Sequence, residues 1–137
     1  MEKWLIVAMF TQVLLTFIIM FIMGNRRFRA AKQKTIEMKD FLTMELEKAG
    51  SDVRVADRNF INQFEMPVLF FIACLTALQL NAVGYMFVAL AWVYVLLRVV
   101  HSYIHLTSNT LKVRYYSFVI SSLVMLSMWV VILTRVF

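Results

Sequence analysis

"WLIVAMFTQVLLTFIIMFIMG", residues 4–24, contains no charged side chain. A helix needs about 20 consecutive apolar residues to cross the hydrocarbon layer of a bilayer, and this run has that length. A secretory signal has a shorter apolar core, of about 7–15 residues, with basic residues ahead of it. Here the cluster Arg26, Arg27 and Arg29 follows the run. The segment therefore reads as a retained membrane span.

Three further apolar runs lie downstream. One covers about residues 60–80 and has Glu65 inside it. The next covers about 83–106 and holds Arg98, His101 and His105. The last covers about 113–136 and is uncharged between Arg114 and Arg135. Composition agrees: 62% of the 137 residues are hydrophobic and 16% are charged. A soluble domain is roughly half apolar and about a quarter charged. The runs do not alternate polar and apolar residues as a barrel strand must. Helices satisfy every backbone hydrogen bond internally and suit continuous apolar runs. The expected fold is an all-α integral membrane protein, a four-transmembrane-helix bundle formed by one domain over residues 1–137.

The connections differ in charge. Residues 25–57 carry Arg26, Arg27, Arg29, Lys32, Lys34, Lys39, Lys48 and Arg54. The link 107–112, with Lys112 and then Arg114, is also basic, whereas "NAVG" at 81–84 is uncharged. Basic connections stay on the cytoplasmic side. That places 25–57 and 107–112 in the cytoplasm and both termini outside. The net charge of +6 then reflects topology and contact with anionic lipid heads, not nucleic acid. Within the long connection, Met38, Phe41, Leu42 and Leu46 form a rough helical stripe that Gly50 would end. Ser51 and Asp52 would cap the next helix. Cys74 stands alone in an apolar span, which excludes an internal disulfide and points to inert packing.

The polar residues inside the spans are the candidates for function. Arg58, Asn62 and Glu65 are spaced by four and three, which puts them on one face of a continuous helix. Arg98, His101 and His105 are spaced by three and four and also share a face, with Tyr94 and Ser102 beside it. Ionisable groups in a span almost always face the bundle interior or a wet cavity. The two faces should meet, with Glu65 and Arg98 at a depth where they can pair. Pro67 frees the carbonyl of Gln63. On the residues alone, this constellation is a ligand pocket or structural glue between helices. His101 and His105 could also ligate a metal or haem, with Glu65 as a third ligand.

The motifs "RNFINQFEMP" at 58–67, "RVVHSYIHLTSNTLKVR" at 98–114 and "GNRRFR" at 24–29 resemble the MAPEG family. These are the membrane-associated proteins of eicosanoid and glutathione metabolism, and the resemblance points to the bacterial branch. It implies a homotrimer that binds glutathione between subunits near the cytoplasmic face, in a bacterial inner membrane. It also implies an enzyme: a glutathione-dependent transferase or peroxidase acting on a lipophilic small-molecule substrate drawn from the bilayer. By motif, Arg58, Asn62, Glu65, Arg98 and His101 would bind glutathione, joined by Arg27 and, in the same cleft, His105. Arg114 would stabilise the thiolate. His105 departs from the pattern, because eicosanoid-metabolising members tend to carry tyrosine there. Tyr115 and Tyr116 are nearby phenols. Two other readings remain: a metal- or haem-binding membrane protein using His101 and His105, and a non-catalytic membrane scaffold.

Overall fold

The computed structural model describes residues 1–37, 39–40 and 49–136. The expected stripe of Met38, Phe41, Leu42 and Leu46 lies outside the described residues. The helices are α1 (Glu2–Lys32), α2 (Ser51–Ile61), α3 (Met66–Gln79), α4 (Tyr85–Leu106) and α5 (Leu111–Val136). Four segments are long and apolar enough to cross a membrane: α1, Ser51–Gln79 taken together, α4 and α5. The all-helical bundle expected from the sequence is the observed one.

The 31 residues of α1 extend about 46 Å at ~1.5 Å per residue. The hydrocarbon layer is only ~30 Å thick. The surplus is the C-terminal part that carries Arg26, Arg27, Arg29 and Lys32. The helix stops at Lys34, whose φ of 57° is left-handed. There Thr35 N–H donates to Ala30 O and Lys34 N–H donates to Ala31 O, so the last carbonyls are paired. Asn81, at φ 51°, ends α3 in the same way, with Ala82 N–H on Ala77 O and Asn81 N–H on Leu78 O. Asparagine tolerates this conformation better than most residues, which makes "NAVG" a compact turn.

Two expectations about the second span need correction. The helix begins after Gly50, with no side-chain cap, and Ser51 and Asp52 lie inside its first turn. Asp52 contributes its charge to the helix N-terminus rather than a capping bond. The span is also not one helix. It breaks between Ile61 and Met66, and Glu65 has φ −95° and ψ −99°. The cause is Pro67, which has no N–H for Gln63 O and whose ring would clash with that carbonyl. The chain stops at Asn62 and restarts with Pro67 in the first turn of α3.

The core lies toward the end of the bundle that holds the 81–84 turn. Phe70 stacks on Tyr94 with ring centroids 4.6 Å apart. Ala8, Ala73, Cys74, Ala77 and Ala91 are fully buried around them. Small side chains let helices approach closely where lipid gives no hydrophobic drive. Trp4, Phe10, Phe21, Leu96, Leu126 and other large apolar residues point outward, as a lipid-facing surface requires. α4 and α5 pack together most extensively, and α1 seats against α2 and α4. This brings the start of α2, the end of α4 and the start of α5 to one end of the bundle.

Candidate functional site

At that end the helices leave a two-lobed cleft. One lobe, about 310 Å³, is lined by Arg58, Asn62, Glu65, His101, His105 and Arg114, with Leu111, Tyr115 and Phe118 as its apolar wall. The other, about 380 Å³, is lined by Ser51, Arg54, Val55, Arg58, His105 and Arg114. Arg58, His105 and Arg114 border both lobes, so the two adjoin. The sequence pattern placed Arg58, Asn62 and Glu65 together on a helical face. They do share a cleft, but across a broken helix: Arg58 is in the last turn of α2, Asn62 ends it and Glu65 precedes α3.

Arg98 lies beneath the cleft with no exposed surface. It forms no ion pair with Glu65 within 4.0 Å among the described residues. Its Nη2 donates instead to the carbonyl oxygen of Asn62, at 3.0 Å. That carbonyl is one that the break released from helical pairing. A span offers no water to satisfy it, so a deep donor from the next helix does so. Nε and Nη1 of Arg98 have no hydrogen-bond partner among the described residues.

His101 is held from α5. Its Nδ1 lies 3.1 Å from Arg114 O and 3.2 Å from Ser117 Oγ. Ser117 Oγ donates to the same carbonyl at 2.9 Å. Nε2 of His101 and Nδ1 of His105 are buried and have no hydrogen-bond partner among the described residues. The two rings are 5.9 Å apart, centroid to centroid. No three His, Cys, Asp or Glu side chains among the described residues are grouped to hold a metal ion. The triplet of Glu65, His101 and His105 is therefore not arranged as a ligand set. Arg114 anchors its Nη1 on Asn109 Oδ1, in the turn before α5. Asn109 is itself left-handed, with φ 47°, and its N–H donates to Ile104 O.

Arg27 lines neither lobe. Its Nε donates to Asp57 Oδ1 at 2.7 Å and ties α1 to α2. Its neighbour Arg26 spans three elements, with Nη1 on Asp52 O at 2.8 Å and Nη2 on Leu106 O at 3.0 Å. The second bond pairs the terminal carbonyl of α4, an orphan by helix geometry. The sequence reading gave neither Asp57 nor Arg26 a structural task.

It also missed a buried amide network behind the cleft. Gln12 Nε2 donates to Gln63 Oε1 at 3.1 Å. Gln63 Nε2 reaches Asn59 O, Asn59 Oδ1 and Ser102 Oγ at 3.2, 3.3 and 3.1 Å. Asn59 Nδ2 donates to Ser102 O at 3.0 Å. Gln12 and Asn59 are fully buried, and Gln63 and Ser102 nearly so. A signal was present: a lone glutamine in an uncharged span, and Asn59 and Gln63 four residues apart. Polar side chains within spans serve as bonds between helices.

These features define a polytopic membrane protein whose helices enclose a polar, mixed-charge cleft at one end. The family model for the MAPEG family matches residues 5–134. The chain belongs to that family, whose members are membrane proteins of glutathione and eicosanoid metabolism. Neither a curated protein nor a solved structure matches it.

Proposed function

We propose that this protein is a membrane-bound, glutathione-dependent transferase or peroxidase for lipophilic electrophiles. The supporting observation is the one cleft in which Arg58, Asn62, Glu65, His105 and Arg114 meet. Glutathione carries two carboxylates, one ammonium and a thiol. Arg58 takes a carboxylate, because guanidinium pairs with it in a forked geometry. Glu65 takes the ammonium and Asn62 an amide group. Arg98 supplies positive charge from below and His101 borders the sulfur. The guanidinium of Arg114 holds the sulfur as thiolate, the nucleophilic form. His105, between the two lobes, faces the incoming electrophile. The thiolate then displaces a leaving group, opens a strained ring or reduces a peroxide.

The rest of the reading follows the family pattern. A homotrimer would close the open side of the cleft with a neighbouring copy, and Arg27 stands on α1 to support that edge. The basic connections face the cytoplasm and the termini face outward, in a bacterial inner membrane.

Calorimetric titration of detergent-purified protein with glutathione tests the proposal. Wild type should bind saturably, and Arg58→Ala should weaken binding at least tenfold, which is about 1.4 kcal/mol. Absence of saturable binding by wild type at millimolar glutathione sinks the proposal.

A further inference from the structure

The contacts of His101 fix more than its position. A backbone carbonyl can only accept, so Nδ1 must carry the proton in order to bond Arg114 O. Ser117 Oγ spends its own hydrogen on the same carbonyl and presents a lone pair to Nδ1. The two α5 groups thus hold one tautomer. In neutral imidazole, a protonated Nδ1 leaves Nε2 as a bare acceptor. That atom is buried, has no partner among the described residues and belongs to a side chain that lines the cleft. A buried acceptor without a donor costs about 1–3 kcal/mol, and a catalytic role is one of the reasons a fold carries such a group.

We propose that His101 Nε2 is the proton acceptor that turns a bound thiol into a thiolate, with Ser117 as the positioning residue that keeps Nε2 bare. The inference rests on the glutathione reading above and adds the fate of the proton. The S–H bond breaks, its electron pair stays on sulfur, and an Nε2–H bond forms. When the sulfur adds to an electrophile, the proton passes from Nε2 to the atom of the product that has become basic.

The charges around the ring support an internal transfer. Its lobe of the cleft is shared by Arg58 of α2, Glu65 of the break, His105 of α4, and Arg114 and Tyr115 of α5, with Arg98 of α4 buried below. Moving a proton from sulfur to Nε2 leaves the net charge of the cleft unchanged. The arginines repel the new imidazolium but attract the new thiolate beside it. Loss of the proton to water would instead leave the imidazole idle. The arrangement is the thiolate–imidazolium pair that activates cysteine nucleophiles, with the sulfur supplied by the ligand.

Two measurements test this. The first is nitrogen NMR of labelled imidazole in the ligand-free protein, comparing wild type with His101→Asn to assign the signal. The proposal expects protonated Nδ1 and bare Nε2, with Ser117→Ala mixing the tautomers and Ser117→Thr preserving the wild-type state. A ring protonated at Nε2 overturns it. The second is the ultraviolet absorbance of glutathione thiolate, followed against pH alongside glutathione affinity. At saturating glutathione, His101→Asn should lose the thiolate signal at neutral pH, with conjugation slowed ~100-fold, a typical general-base contribution. Full thiolate signal in glutathione-saturated His101→Asn overturns the base and leaves the glutathione reading intact. Failure of wild type to bind glutathione removes both the reading and the thiol named here.

Discussion

The amide network behind the cleft makes an asymmetric prediction about two glutamines that touch each other. Gln63 uses its whole side chain, with Oε1 accepting from Gln12 and Nε2 reaching Asn59 and Ser102. Gln12 uses half of its amide, because its Oε1 is buried without a partner among the described residues. Gln63→Leu removes about three hydrogen bonds, at ~0.6 kcal/mol each for pairs within membranes. It also strands Gln12 Nε2 and Ser102 Oγ in an apolar interior. The expected loss is about 2–3 kcal/mol. Gln12→Leu removes one such bond and leaves Gln63 Oε1 without its donor, but it also removes an acceptor that was already unpaired. The acceptor lost and the acceptor stranded offset, so the expected change is the one bond, within about 1 kcal/mol of zero.

The double variant sharpens the test. In Gln63→Leu, Gln12 has no partner at either end of its amide. Adding Gln12→Leu should recover about 1 kcal/mol, so the pair is less damaged than the worse single variant. Reversible unfolding in mixed micelles, followed by tryptophan fluorescence, gives the three values. The reasoning fails if Gln12→Leu costs as much as Gln63→Leu, or if the double variant is the least stable of the three.

Two other outcomes follow from the same geometry. Arg98→Met keeps volume, removes the donor to Asn62 O and removes two unpaired guanidinium nitrogens. Its stability should stay within about 1 kcal/mol of wild type, whereas Arg98→Ala, which leaves a cavity, should lose about 2–4 kcal/mol. Thermal unfolding in detergent separates the two, and a loss above about 3 kcal/mol in Arg98→Met would mean that the guanidinium is fully paired. Asp57→Asn should cost about 1 kcal/mol through loss of the partly buried pair with Arg27, and should leave glutathione affinity within about threefold. A tenfold fall in calorimetric affinity would show that the seating of α1 on α2 shapes the cleft.

Much of the architecture was legible because hydropathy acts over whole segments. Four long apolar runs leave a chain few alternatives in a bilayer, and the membrane-length helical segments lie where those runs are. The candidate site was legible for a related reason. Ionisable residues in a span are costly enough to mark a polar interior, and Arg58, Glu65, His101, His105 and Arg114 do line one cleft. What spacing could not supply was the partner of each group. Arg98 and Glu65 had suitable depth for pairing, yet Arg98 bonds a backbone carbonyl, and backbone acceptors are invisible to a side-chain pattern. Asp57 reads as an ordinary charge in a basic segment until α1 comes alongside with Arg27. Ser51 and Asp52 looked like caps because capping types are common at helix starts, and Gly50 took the position one residue earlier.

The break in the second span connects these points. In Pro67 the sequence carries a residue that no continuous membrane helix accommodates without exposing a carbonyl. Once α2 stops at Asn62, its last carbonyls lie at membrane depth and require a donor from elsewhere. Arg98 reaches one of them, and burying a guanidinium there brings a positive charge under the cleft floor. The same break turns Asn62 and Glu65 from positions within a helix into positions at its ends. Short irregular backbone at this depth is tolerated only where protein or a wet cavity covers it. Here both conditions hold, with Arg98 and Gln63 on one side and the cleft on the other. A proline that would weaken a purely structural span thus sits beside the polar groups best placed to bind a charged ligand. Local irregularity and candidate site arise from one cause, and the buried cation that repairs the backbone also gives the cleft its charge.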